Sequence, residues 1–140
     1  MDDYPGGPTS GATAIVIDQK AFIIDGSSFW LYDQSSNSWE QKSNFPGSPR
    51  KLATGFAIND KIYYGTGSNV IEYYNSKICY NDLWEYNPAT DKWKKESDLP
   101  GIPRTGAYGY GINAKGYIVG GCQFNYNGLR DIYEYDPNLE

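Results

Sequence analysis

Two stretches of the chain concentrate the side chains that could bind or react. Residues 68 to 82 hold Tyr73, Tyr74, Lys77, Cys79, Tyr80 and Asn81, and residues 122 to 130 hold Cys122, Gln123, Phe124, Asn125, Tyr126, Asn127 and Arg130. Flat rings interleaved with amides, glycines and serines suit sugar faces, sugar hydroxyls or the apolar groups of a protein partner. Arg50 and Arg104, each directly after a proline, add guanidinium groups that can grip an anion or brace a loop through its carbonyls. Histidine is absent, which removes Ser/His/Asp and Cys/His nucleophile systems and imidazole-bound metals. Cys79 and Cys122 are too few for a four-cysteine zinc site or a disulfide framework, and their pairing stays open. No catalytic residue, metal or cofactor is therefore expected.

Charge and hydropathy narrow the partners. Twelve Lys and Arg against 17 Asp and Glu give a net charge of −5 in 140 residues, so the clustered basic face that nucleic acid demands is not expected. No apolar run reaches the ~18 residues of a membrane span, and the acidic Met1-Asp2-Asp3 start does not read as an export signal.

The elements that must position these residues are repeated. Trp39 to Arg50 recurs as Trp93 to Arg104, and the tail of that unit recurs once more as Asp3 to Pro8. Phe29-Trp30-Leu31-Tyr32-Asp33 returns as Leu83 to Asn87 and as Ile132 to Asp136. A hairpin with lysine at its bend appears at 14–24, 55–64 and 109–119. Each copy reads as four short strands: two rich in Ile, Val, Tyr and Phe around a polar bend, a third stopping at Asp or Asn-Pro, and a fourth carrying a lone tryptophan. Glycines at Gly65/Gly67 and Gly120/Gly121 mark close backbone approach. No stretch carries a sustained helical period.

Four strands repeated every 41 to 54 residues are the sequence form of a β-propeller blade. The glycine pair, the Tyr-Asp/Asn-Pro stop, the following tryptophan and the Pro-Arg resemble the kelch pattern, and Asn81 to Trp93 is similar to kelch repeats of bacterial surface and secreted propellers. That resemblance implies a secreted or cell-surface protein. In sugar-active kelch proteins, arginines near the channel mouth bind carboxylates, which the resemblance carries to Arg50 and Arg104.

The expectation is an all-β chain of kelch-type blades: 1–49, 50–103, and 104–140 without its outer strand. Strands are expected near 11–17, 21–25, 29–33 and 37–42, then 52–58, 61–66, 82–86 and 92–96, then 105–112, 116–120 and 131–135. Repetition also sorts the residues. Asp82 and Asp131 read as turn caps, Glu85 and Glu134 as sheet side chains, and Trp39 and Trp93 as wedges between blades. The binding set, all on one loop face, is Tyr73, Tyr74, Tyr80, Asn81, Phe124, Asn125, Tyr126, Arg130, Arg50 and Arg104. The leading functional expectation is a non-catalytic module that binds protein or glycan through that face. The alternative is part of a sugar-active kelch enzyme resembling the metal-free sialic-acid mutarotases; a copper oxidase of the same fold would need histidine ligands. Three blades leave apolar faces wet, so self-association of two chains into a six-bladed ring is also expected.

Overall fold

The structure, a computed structural model, describes residues 2–71, 76–123 and 127–139. It is all-β, and the described residues contain no helix. One sheet runs β1 (Thr13–Ile17), β2 (Lys20–Asp25), β3 (Ser28–Asp33) and β4 (Ser38–Gln41) in that spatial order. The second runs β5 (Thr54–Ile58), β6 (Lys61–Gly65), β9 (Leu83–Asn87) and β10 (Lys92–Lys95), and the third β11 (Tyr108–Ile112), β12 (Lys115–Val119) and β13 (Ile132–Tyr135). Every pairing is antiparallel. The innermost strands β1, β5 and β11 lie side by side, so the three sheets fan out as consecutive blades of a propeller.

Period-two alternation makes these segments strands with two working faces. In β5, Phe56 and Ile58 point toward the third sheet, while Gly55 and Ala57 lie on the other face. The core is accordingly two apolar layers, one in each gap between sheets. The first joins Phe22 and Phe29 to Tyr64 and Tyr86, with Phe29 edge-on to Tyr86 at 4.7 Å between ring centres. The second joins Phe56, Tyr63 and Leu83 to Leu99 and Ile118. Each such fully buried ring or branched chain contributes about 1.5–3 kcal/mol.

The bends follow the turn chemistry. Asn59-Asp60 and Asn113-Ala114 both take positive φ at two successive residues, the conformation that matches strand twist in two-residue hairpins. Gly67, at φ +86°, leaves a Cβ no room against Ala53 and the Lys51 carbonyl.

Two strand boundaries move. The inner strands begin at Thr54 and Tyr108 rather than near 52 and 105, because Lys51 and Thr105 instead bridge Ser68 and Cys122 on the loop face. The stretch read as a bare loop from 68 to 82 contains a hairpin, β7 (Ser68–Ile71) and β8 (Ser76–Cys79), with Ser68 opposite Cys79. Its β-branched Val70, Ile71 and Ile78 are the sequence signal for those strands. Cys79 and Cys122 are not joined by a disulfide.

Candidate functional site

The connections from β6 to β9 and from β12 to β13, and the segments leading into β5 and β11, all emerge at one end of the sheets. Of the expected site residues, that end carries Arg50, Tyr80, Asn81, Arg104 and Arg130, which differ in burial and in bonding partner.

Arg50 and Arg104 are only 3% and 2% exposed, and both are clamps. Arg50 donates from Nε to the Ser48 carbonyl at 3.0 Å and from one terminal nitrogen to the Thr66 carbonyl at 3.0 Å. It also makes a two-pronged ion pair with Asp82, while its guanidinium lies over the Tyr80 ring, 4.0 Å from the centre, and over Phe45. Arg104 repeats the arrangement with the Ile102 carbonyl, the Gly120 carbonyl, both Asp131 oxygens at 2.6 and 2.9 Å, and the Tyr133 ring. The Arg104 hydrogen bonds hold the Asp131 carboxyl down to about 2. Of the two roles open to these arginines, the bracing of carbonyls is present in the fold, and Arg50 also lines the cleft described below. Each guanidinium is spent pinning the incoming chain to the blade it enters. Asp82 and Asp131, read as turn caps, are the clamps' other half.

In the first sheet the clamp is missing. Thr9 and Ser28 stand at the positions of Arg50 and Asp82, by the same offsets that align the repeats.

Tyr80 is half-buried beneath this arrangement, stacked on Arg50, and its backbone bridges Arg104. Asn81 donates to the Leu99 carbonyl at 3.2 Å, and its own carbonyl accepts from the Leu99 N–H at 2.8 Å, tying down the segment before β11. Arg130 is exposed at the same end. Tyr73, Tyr74, Phe124, Asn125 and Tyr126 lie outside the described residues.

Beside the clamps is a cleft of about 410 Å³, lined by Ser10, Gly26, Pro49, Arg50, Lys51, Ser68 and Asn69. Lys51 is its accessible cation: the side chain is 50% exposed, and Nζ stands 3.7 Å from Asp25 Oδ1. Paired backbone bonds between Lys51 and Ser68, both 3.0 Å, fix the lip, and Ser68 Oγ lies 3.2 Å from Thr105 Oγ1. Lys51, Ser68 and Asn69 were not in the expected site set. The usable signal was that Lys51 occurs in one copy only, with Ser10 and Thr105 at the equivalent positions. The arrangement offers one cation with hydroxyls and an amide around it, a set able to hold an acidic, polyhydroxylated molecule. Among the described residues no group of three or more Cys, Asp or Glu is placed to hold a metal ion.

Glu85 and Glu134 each close a small polar triad. Glu85 accepts from Lys61 Nζ at 2.8 Å and from the Tyr63 hydroxyl at 2.9 Å; Glu134 accepts from Lys115 at 2.5 Å and from Tyr117 at 3.0 Å. Burial, with the adjacent Glu85 carboxylate, pushes the Tyr63 hydroxyl far up. Both triads sit toward the blade flanks, beyond the cleft's lining. A larger hollow of about 540 Å³ at the opposite end is lined by turn residues such as Asp18, Asp33 and Asp60. Its short connections leave little chain from which to build a specific site.

No family model matches the chain. It is 30% identical over 135 residues to the N-acetylneuraminate epimerase of Pasteurella multocida (strain Pm70), an alignment covering 91% of this chain and 35% of that protein. It is 29% identical over 136 residues to N-acetylneuraminate epimerase 2 of Escherichia coli O6:H1, covering 91% and 36%. Over 100 residues it is 33% identical to the N-acetylneuraminate epimerase of Shigella sonnei (strain Ss046), covering 69% and 26%. The chain thus spans about a third of the length of the curated relatives it matches most fully. Among solved structures, that of YjhT superposes with a TM-score of 0.83 at 21% identity, over 94% of this chain and 48% of that one.

Proposed function

We propose that the chain is part of a sugar-active propeller that interconverts the anomers of N-acetylneuraminate or a closely related sugar acid. What supports the reading is similarity to N-acetylneuraminate epimerases along nine-tenths of the chain. That similarity favours the sugar-active alternative over a non-catalytic binding module.

The chemistry asked of such a protein is modest. Opening and reclosing a sugar ring at its anomeric carbon moves one proton off the anomeric hydroxyl and one onto the ring oxygen, which polar side chains accomplish without a cofactor. An anionic sugar must also be held. In this reading Lys51 meets the sugar carboxylate at the cleft lip, Asp25 positions the ammonium group, and Ser10, Ser68 and Asn69 receive the hydroxyls. Arg130 is exposed at the same end of the sheets. Arg50 and Arg104 keep the lip in shape from beneath.

Anomer exchange followed by proton NMR tests the reading. Adding the chain to N-acetylneuraminate should accelerate exchange between the two anomers beyond the buffer rate. An unchanged rate, with no line broadening of the sugar signals at millimolar sugar, would refute it.

A further inference from the structure

Left-handed backbone is not spread evenly over the three copies. Leu52, at φ +53°, and Thr66, at φ +58°, adopt it although bulky and β-branched side chains rarely do. Among the described residues, the other non-glycine positions with positive φ are Asp or Asn, which tolerate that conformation, and Ala114 in a hairpin bend. Leu52 and Thr66 both belong to the second copy and both flank the cleft lip: Leu52 follows Lys51, and Thr66 stands two residues before Ser68.

The counterparts of Leu52 show that the fold needs its backbone conformation and not its side chain. By the repeat offsets it corresponds to Gly11, at φ +77°, and to Gly106, at φ +66°. Backbone bonds chain the three together: the Leu52 N–H donates to the Gly11 carbonyl and the Gly106 N–H to the Leu52 carbonyl, both at 2.8 Å. Glycine makes that link in two copies without strain. Thr66 uses its side chain within the protein, since it is fully buried and its Oγ1 accepts from the Thr54 N–H at 3.2 Å. Leu52 is instead 52% exposed. The second sheet has a neighbour on either side, so this exposure is not that of an open sheet edge.

Leu52 stands beside the cleft's accessible cation. A Cβ placed on Gly11 would meet Lys51 Cβ at 3.3 Å and Leu52 Cδ2 at 3.4 Å, so the two side chains flank the same glycine. Lys51 reaches from there toward Asp25, while Leu52 stays next to Gly11, outside the cleft's lining. An ionic contact and an apolar one are thus set apart along the length of a lysine side chain. N-acetylneuraminate carries a carboxylate and, across its ring, a single methyl group, that of the acetamido substituent. We propose that Leu52 is a specificity-determining residue that receives this methyl group, so that the site selects N-acylated sugar acids over those with a hydroxyl at that carbon. Backbone strain kept where glycine would serve is explained by a side chain that meets a ligand. The proposal rests on the sugar-acid reading of the cleft and adds which sugar acids it takes.

Titration calorimetry with N-acetylneuraminate, and with the analogue that has a hydroxyl in place of the acetamido group, tests it. The parent chain should prefer the acetamido sugar. Leu52→Gly installs the residue of the other copies and should melt at or above the parent's temperature. It should bind the acetamido sugar about fivefold more weakly and the hydroxyl sugar as before. Leu52→Asn keeps a side chain suited to left-handed backbone but removes the apolar contact, and should lose the same preference. A parent that binds both sugars equally would overturn the proposal and leave Lys51 as the sugar-acid contact. So would variants that keep the parent's preference, or that lose affinity for both sugars alike. A parent that binds neither sugar would overturn the sugar-acid reading and this proposal together.

Discussion

Arg50 and Lys51 are neighbours in sequence with opposite fates. Arg50 has a counterpart in Arg104, is 3% exposed, and spends its guanidinium on carbonyls, a carboxylate and two rings. Lys51 has no cationic counterpart in the other copies, and its side chain is half in solvent above a polar cleft. The difference teaches that repetition within the chain separates architecture from site. A residue needed in successive blades solves a problem that successive blades share, here the anchoring of the chain as it crosses from one sheet to the next. A residue present once is free of that duty.

Removing the clamp should give the largest effect. Arg50→Met leaves Asp82, whose side chain is only 16% exposed, as an uncompensated charge, and should cost about 3–5 kcal/mol in urea unfolding. Arg104→Met should cost less, because Asp131 is 37% exposed and water screens the stranded carboxylate. Equal losses would mean that the two clamps are not distinguished by solvent. Lys51→Met should reverse the pattern, with stability within about 0.5 kcal/mol of the parent and affinity for N-acetylneuraminate at least tenfold weaker, ~1.4 kcal/mol. Titration calorimetry beside urea unfolding reads both sides of the comparison.

Acid sharpens it further. Asp131 is held down to about 2 by Arg104, below its usual value, so its contribution is complete at pH above the ordinary carboxylate range. It is then lost as pH falls through that range toward 2. With partial exposure discounted, the loss should be on the order of 1 kcal/mol, and Asp131→Asn should flatten that part of the stability profile. The smallest effect belongs to a turn. Ala114 carries φ +62°, a conformation costly for a side chain, and Ala114→Gly should raise stability by about 0.5–1 kcal/mol in thermal unfolding.

The sequence made the blades legible because their determinants are local. Alternation, a two-residue bend and a proline stop can each be read within ten residues, and the strands fall close to where those signals put them. The site was harder to see, for a physical reason. Guanidinium chemistry looks the same whether the group faces a ligand or a carboxylate 32 residues away, so Arg50 could be read either way until Asp82 was placed beside it. Asn81 was similarly ambiguous, since an amide that suits a sugar hydroxyl also suits the Leu99 carbonyl. Lys51 and Asn69, in turn, become a cleft only when the β7–β8 hairpin and the bridge from Lys51 to Ser68 bring them to one lip. The missing clamp of the first sheet was visible in principle, because Thr9 and Ser28 break the repeat, but its meaning depends on knowing what the arginine does.

On the proposed reading a sugar acid binds at the Lys51 lip while the buried arginines hold that lip in shape. Amide chemical-shift mapping with N-acetylneuraminate tests this most directly. The expected result is saturable shifts centred on Ser10, Lys51, Ser68 and Asn69, abolished by Lys51→Met in a chain that remains folded. Shifts centred instead on Asp18, Asp33 and Asp60 at the opposite end, or none at millimolar sugar, would contradict it.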